Sequence, residues 1–173
     1  MVVIRPRTDA DIDAVAAVHV RAWQSGYAGI IAAEFLAGLD PAEFAQFHRE
    51  RTATPGAQTL VAVADGVVLG FASFGAYRVD SNEGRNPAIG ELYALYVDPD
   101  RWGAGTGRKL LAAARAGLAE AGYPLLRLWV LADNDRARRF YGKAGLMPDG
   151  ARQLHTPRGS TVQLPEVRYS ARL

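Results

Sequence analysis

Residues 96–111 read YVDPDRWGAGTGRKLL. An apolar run closes at Asp98-Pro99, glycines fall at positions 103, 105 and 107, and a leucine pair opens the next segment. A strand, a glycine loop and a helix in that order bring bare backbone N–H groups and a helix N-terminus to one point, which predicts an anion cradle. The spacing excludes two well-known cradles. A dinucleotide fingerprint begun at Gly103 needs glycine where the chain has Arg108. A triphosphate loop fails at the same place, and Leu110 stands where a hydroxyl would hold magnesium. Two readings remain: a phosphate cradle of another kind, to which Arg108 adds charge, or a glycine-rich connection without a ligand.

The flanks give the loop its context. Upstream, AIGELYALYVDP (88–99) is apolar on both faces and predicts a buried central strand. Before it, TLVAVADGVVLGFASFGAYRV (59–79) holds Asp65-Gly66 between two apolar runs, a two-residue hairpin signal because both turn positions need positive φ. Downstream, Leu110, Leu111, Ala114, Leu118 and Ala121 make a helical stripe ended by Gly122. PLLRLWVL (124–131) predicts another buried strand. DNDRARRFYGKAGL (133–146) predicts a helix with Ala137, Phe140, Tyr141 and Ala144 on one face and Gly145 at its end. Two strand-like pieces, 147–154 and 163–172, finish the chain.

The N-terminal third reads differently. VVIRP is a short strand, Thr8 a helix cap, and Ile12, Val15, Ala16, His19, Val20 and Trp23 keep helical spacing until Gly26. A second short helix is predicted over Ile30–Leu39 and a third after Pro41. The order predicts an α+β fold: a mixed sheet with helices on both faces, one domain over residues 1–173.

Composition narrows the function classes. The chain has 173 residues, 49% hydrophobic and 22% charged, a net charge of +2 and pI near 9.1, so no polyanion-binding surface is implied. Arginine and aromatic residues are not interleaved on any element, which speaks against nucleic acid. No apolar run reaches membrane-spanning length and the start lacks a leader pattern, so a cytoplasmic protein without a membrane is expected. Without cysteine there is no thiol nucleophile and no thiolate metal site. The three histidines, His19, His48 and His155, are dispersed, so no metal is expected.

Residues 96–111 resemble the coenzyme-A loop of the GCN5-related N-acetyltransferase (GNAT) family, with Gly105 and Gly107 on its two glycines and Trp102 where arginine or glutamine is usual. LWVLADNDRARRFYGKAGL is similar to the family's second signature, matched by Asn134, Ala137, Phe140, Tyr141, Lys143 and Gly145, with Leu146 in place of phenylalanine. EVRYSARL resembles the family's last strand.

The resemblance implies a seven-stranded, mixed, mostly antiparallel sheet splayed between its fourth and fifth strands. It implies acetyl-CoA as co-substrate and an amine acceptor, small molecule or peptide, attacked directly in a ternary complex; a homodimer is compatible with it. The pantetheine arm would lie against Leu95, Tyr96 and Val97, with an N–H near Val97 polarising the thioester carbonyl. The pyrophosphate would rest on Trp102, Gly103, Ala104, Gly105, Thr106, Gly107 and Arg108, with Asn134, Ala137 and Phe140 alongside. Tyr141 corresponds to a general acid and Glu91 to a general base, against plainer readings of the first as core and the second as solvent-facing. Trp23, Tyr27 and Phe35 are candidates for the acceptor pocket, and Asp80 and Glu83 for attracting a cationic amine. A non-catalytic acyl-CoA-binding regulatory domain is the competing reading.

Overall fold

The computed structural model describes residues 1–52, 55–78 and 85–173. The chain opens with β1 (Val3–Pro6), then α1 (Ile12–Gly26), α2 (Ala33–Ala37) and α3 (Pro41–Thr52). A meander of β2 (Gln58–Ala64), β3 (Val67–Arg78) and β4 (Arg85–Val97) comes next. After the glycine loop come α4 (Thr106–Glu120), β5 (Leu125–Leu131), α5 (Asp135–Lys143), β6 (Met147–His155) and β7 (Leu164–Arg172). The predicted second helix is shorter than its apolar pattern. Ile30 and Ile31 donate their N–H groups to Tyr27 O in a turn, and α2 begins only at Ala33.

Local chemistry fixes the ends of these elements. Asp65 (φ 51°) and Gly66 (φ 77°) form the tight turn between β2 and β3. Ahead of α1, both the N–H and the hydroxyl of Thr8 donate to Asp11 Oδ2, at 2.7 and 2.9 Å. Two guanidinium nitrogens of Arg5 reach the same carboxylate, at 2.7 and 2.8 Å. The Arg5 bonds come first among the causes that hold Asp11 well below the usual carboxylate range.

The sheet order is β1-β2-β3-β4-β5-β7-β6, parallel at β4–β5 and antiparallel elsewhere. Alternation along the strands sends Val61 and Phe71 to one face, against Val15 and Val18 of α1. Ala62, Ala72 and Phe74 go to the other, against Leu110, Ala114 and Leu118 of α4, where Tyr141 of α5 joins them. Helices on both faces are thus the direct result of a sheet buried on both sides. No helix among the described residues is long and apolar enough to cross a membrane.

The β4–β5 ladder is short. Among the described residues only Gly90↔Leu126 and Glu91↔Arg127 are paired, and beyond them the strands part. A register shift between Ser73 and Phe74 of β3 marks an irregularity opposite Leu92 and Ala94 of β4. Past it, Asp98 donates its N–H to Leu69 O at 2.8 Å. Backbone groups alternate sides along a strand, so those of Leu95 and Val97 face away from β3 and into the gap.

Gly70 of β3 lies against this stretch. A Cβ there would stand 2.7 Å from Tyr96 O and 3.2 Å from Val97 Cα, both backbone atoms that cannot swing aside. Gly70→Ala should therefore cost about 1–3 kcal/mol as overpacking. Urea denaturation checks this, with an unchanged m-value expected if only the folded state is strained.

Candidate active site

The parted strands open one continuous cavity of about 1660 Å³. Every residue that the sequence nominated for catalysis, cofactor or acceptor lines it, apart from Ala104 and the two loop acids. Asp80 and Glu83 lie outside the described residues.

The glycine loop forms one end. Gly103 (φ 79°) and Gly105 (φ 83°) both occupy the left-handed region, and nothing lies within 4 Å of a Cβ built on either. Open space above bare backbone is what an approaching phosphate needs. Thr106, 2% exposed, begins α4, so the helix N-terminus points into the same space. At Gly107 a Cβ would touch Phe140 at 3.5 Å and Val97 Cγ2 at 3.7 Å, both ordinary contacts. Trp102 closes the turn from within: its Nε1–H donates to Val97 O at 2.8 Å. The Arg136 guanidinium of α5 stacks on the same indole, 3.3 Å from its centroid, a contact that bridges the two walls of the gap. These residues fit a pyrophosphate-bearing group, because donors and cations gather there and the glycines leave room.

Three phenols sit deeper. Tyr27 and Tyr96 share a hydrogen bond between their hydroxyls at 3.1 Å. Tyr141, on the buried stripe of α5, has no hydrogen-bond partner among the described residues. Burial first, and then the neighbouring Tyr96, pushes the Tyr141 phenol well above its ordinary value, so it keeps its proton at neutral pH. Burial likewise raises Tyr27 and Tyr96. Trp23 packs edge-on to Tyr27, with ring centroids 5.2 Å apart, and its buried Nε1–H meets no acceptor in hydrogen-bonding geometry among the described residues. Asn134 caps α5, its Oδ1 accepting from Ala137 N at 3.1 Å.

Glu91 corrects the plainer reading of the sequence. It lies within β4, not at its start, and is 1% exposed. Arg78 wraps it: Nη2 to Oε1 at 2.8 Å, the backbone N–H to Oε2 at 2.8 Å, and Nε between the two oxygens at 3.3 and 3.2 Å. Sequence reasoning missed this partner, because a strand-end arginine carries no local signal of what it grips.

Two of the three histidines are brought together. His19 of α1 and His48 of α3, both buried, meet through Nδ1···Nε2 at 3.1 Å. His19 also stacks on Tyr96, with ring centroids 4.6 Å apart. Burial, reinforced by His48 and Arg51, drives His19 well below its ordinary value. Burial, with Arg7 and Arg51, lowers His48 to about 4. The pair therefore rests neutral.

Against known proteins, residues 18–146 match the model of the acetyltransferase (GNAT) family. An uncharacterized N-acetyltransferase of Bacillus subtilis is 36% identical over 135 residues, 78% of this chain and 74% of that protein. A ribosomal-protein-alanine N-acetyltransferase from Brucella melitensis superposes with a TM-score of 0.75 at 27% identity, covering 99% of each chain. The PaiA N-acetyltransferase of Thermoplasma acidophilum, solved in complex with coenzyme A, gives 0.74 at 20% identity, over 100% of this chain and 99% of that one. The chain belongs to the acetyltransferase (GNAT) family. Its activity is transfer of the acetyl group of acetyl-CoA to an amine.

The neutral pair sets a pH dependence of stability. Histidine in the unfolded chain titrates near about 6.5, above both folded values. Between those limits the unfolded state binds more protons, so stability is complete above pH 6.5 and falls as the pH drops toward 4. His48 alone should contribute a loss of about 2 kcal/mol between pH 8 and pH 5. Denaturant midpoints across that range test this, and the His48 imidazole should remain neutral by NMR at pH 5.5.

Proposed function

We propose that residues 1–173 act as one N-acetyltransferase domain in the cytoplasm, with Tyr141 as general acid and Glu91 on the acceptor side. The observation that carries this is the unpartnered, proton-retaining Tyr141 hydroxyl beside a gap that exposes backbone of Leu95 and Val97. The N–H and C=O of Leu95 and the N–H of Val97 match an amide-bearing arm laid along the strand. The N–H of Val97 polarises the thioester carbonyl as the tetrahedral intermediate forms. Gly103, Gly105, Thr106 and Gly107 cradle the pyrophosphate, with Trp102 and Ala104 shaping the loop and Arg108 adding charge at its rim. Asn134 holds the first turn of α5, while Ala137 and Phe140 pack the wall on which the arm rests.

The acceptor enters between Trp23, Tyr27 and Glu91. Its ammonium loses one proton to water before attack, and Glu91 supplies the negative charge that draws the ammonium in and orders that water. Arg78 fixes this carboxylate in place. The amine nitrogen then attacks, the C–N bond forms, Tyr141 protonates sulfur as the C–S bond breaks, and the surplus proton on nitrogen passes through water to restore the Tyr141 phenol. With no cysteine in the chain, no acyl-cysteine intermediate forms.

Acetyl-CoA, in contrast to NAD or ATP, should raise the melting temperature, by roughly 2.7 kcal/mol of added stability at about a hundred times its dissociation constant. Gly105→Val should lose that shift, because a branched side chain at a left-handed φ both strains the loop and fills the cradle. An equal shift with ATP would count against the reading.

Tyr141→Phe keeps the ring and removes one oxygen, so folding and acetyl-CoA binding should persist. Turnover should fall by about 10² to 10⁴, in kcat more than in KM. Because the phenol is raised, it should impose no basic limb on the pH–rate profile below about pH 10. Wild-type turnover in this variant would assign Tyr141 to packing.

A further inference from the structure

An amine acceptor reaches the cavity as an ammonium, and Glu91 has no oxygen left to bind it. Arg78 Nη2 donates to Oε1 at 2.8 Å and the Arg78 backbone N–H to Oε2 at 2.8 Å. A second carboxylate lines the same cavity. Glu166 lies half-buried on β7, paired in register with Leu131 of β5 and Gln153 of β6. Gln153 Nε2 donates to its Oε2 at 2.7 Å. Its Oε1 has no hydrogen-bond partner among the described residues, and no arginine, lysine or histidine among them forms an ion pair with it.

Register and alternation aim this carboxylate at the gap. The pairs Gly90↔Leu126 and Glu91↔Arg127, carried a few residues further, set Leu131 across the parted strands from Leu95. Directly paired residues share a face, so Glu166 lies on the same side of the sheet as Leu131. Its neighbour Val167 turns the other way, into the core that holds Tyr141. Glu166 therefore faces the side on which Tyr96 packs against Phe71. Its charge is felt there: after burial, the main cause, it adds to the rise of the Tyr27 and Tyr96 phenols. Arg78 feels burial first, then Glu91, Tyr93 and Glu166. Of the three ionisable side chains Arg78, Glu91 and Glu166, two are acids, and the one with an open oxygen is Glu166.

We infer that Glu166 is a further acceptor-binding residue, whose Oε1 takes the ammonium of the incoming amine while Gln153 holds Oε2. Glu91, with both oxygens taken, acts on the acceptor through its charge and through water. This rests on the N-acetyltransferase reading of the cavity and names the group that holds its acceptor. An ammonium so held lies across the gap from the backbone of Leu95, with the phenols of Tyr27 and Tyr96 on the same side of the sheet.

The experiment uses the whole 173-residue chain with two matched probes. 2-Phenylethylamine has a ring that suits Trp23, Tyr27 and Phe35 on the cavity wall, and 2-phenylethanol is its uncharged counterpart. With CoA present at pH 7 and equal ionic strength, the ammonium should raise the melting temperature more than the alcohol does. Glu166→Gln keeps the shape and an oxygen for Gln153 but removes the charge, so it should erase that difference. It should also raise KM for 2-phenylethylamine about tenfold to a hundredfold, the range of one hydrogen bond to a charged group. The change in kcat should be smaller, and the melting shift with acetyl-CoA should stay as in the parent. Glu166→Asp restores the charge and should recover part of the loss. Circular dichroism checks that each variant folds. A parent protein that does not distinguish the two probes, or a Glu166→Gln variant with an unchanged KM or an undiminished probe difference, overturns the anchor. Wild-type turnover in Tyr141→Phe would remove the general acid and leave the anchor standing. If the ammonium protects through Glu166 yet is never acetylated, the anchor stands and the roles given to Tyr141 and Glu91 fall.

Discussion

Two paired positions hold the middle of this protein together. Gly90↔Leu126 and Glu91↔Arg127 are the whole of the parallel β4–β5 ladder among the described residues. Beneath them Leu92, Leu118 and Leu126 close a nearly solvent-free core. Above them, backbone groups that a continuous sheet would have used are left without strand partners. Such groups are costly to bury unless something else satisfies them, so the fold carries a standing demand for a ligand with amides of its own. The glycine loop and the phenols are arranged around that one interruption.

The balance of charge around the gap is settled in pairs. Glu91, deep in the sheet, is gripped by Arg78 at four contacts, which offset the cost of burying a carboxylate there. The two histidines solve the same problem by staying uncharged and bonding to each other. The phenols solve it by keeping their protons. The polar groups of the site are therefore each held in place, with the Glu91 carboxylate pinned by Arg78.

Much of this was legible in the sequence, for a physical reason. Asp65-Gly66, the glycines at 103 and 105 and the stripe on α5 are local signals, since turn sterics and helical spacing act within a few residues. Together with the family resemblance they yielded the element order, the splayed strands and part of the lining of the cavity. The pairings were not legible. Arg78 with Glu91 spans 13 residues and His19 with His48 spans 29, and neither member of either pair needs the other for its own secondary structure. Arg136 on Trp102 belongs to the same class: the indole stands out as a departure from the usual residue, but its partner comes from a different helix. The late start of α2 was missed because Tyr27 O takes the N–H groups of Ile30 and Ile31 into a turn, which hydrophobic spacing does not record.

The hydrogen bond from the Trp102 indole to Val97 O has a bearing on polarity. A strand residue facing an open edge normally presents a positive N–H and a negative C=O side by side, and their fields largely cancel over a short distance. Here the indole proton masks the carbonyl and leaves the N–H uncovered. That spot on the edge changes from a balanced dipole to a net electropositive point, welcoming to an electron-rich oxygen and indifferent to a donor. A single tryptophan, placed five residues downstream, thereby gives the strand edge a sign.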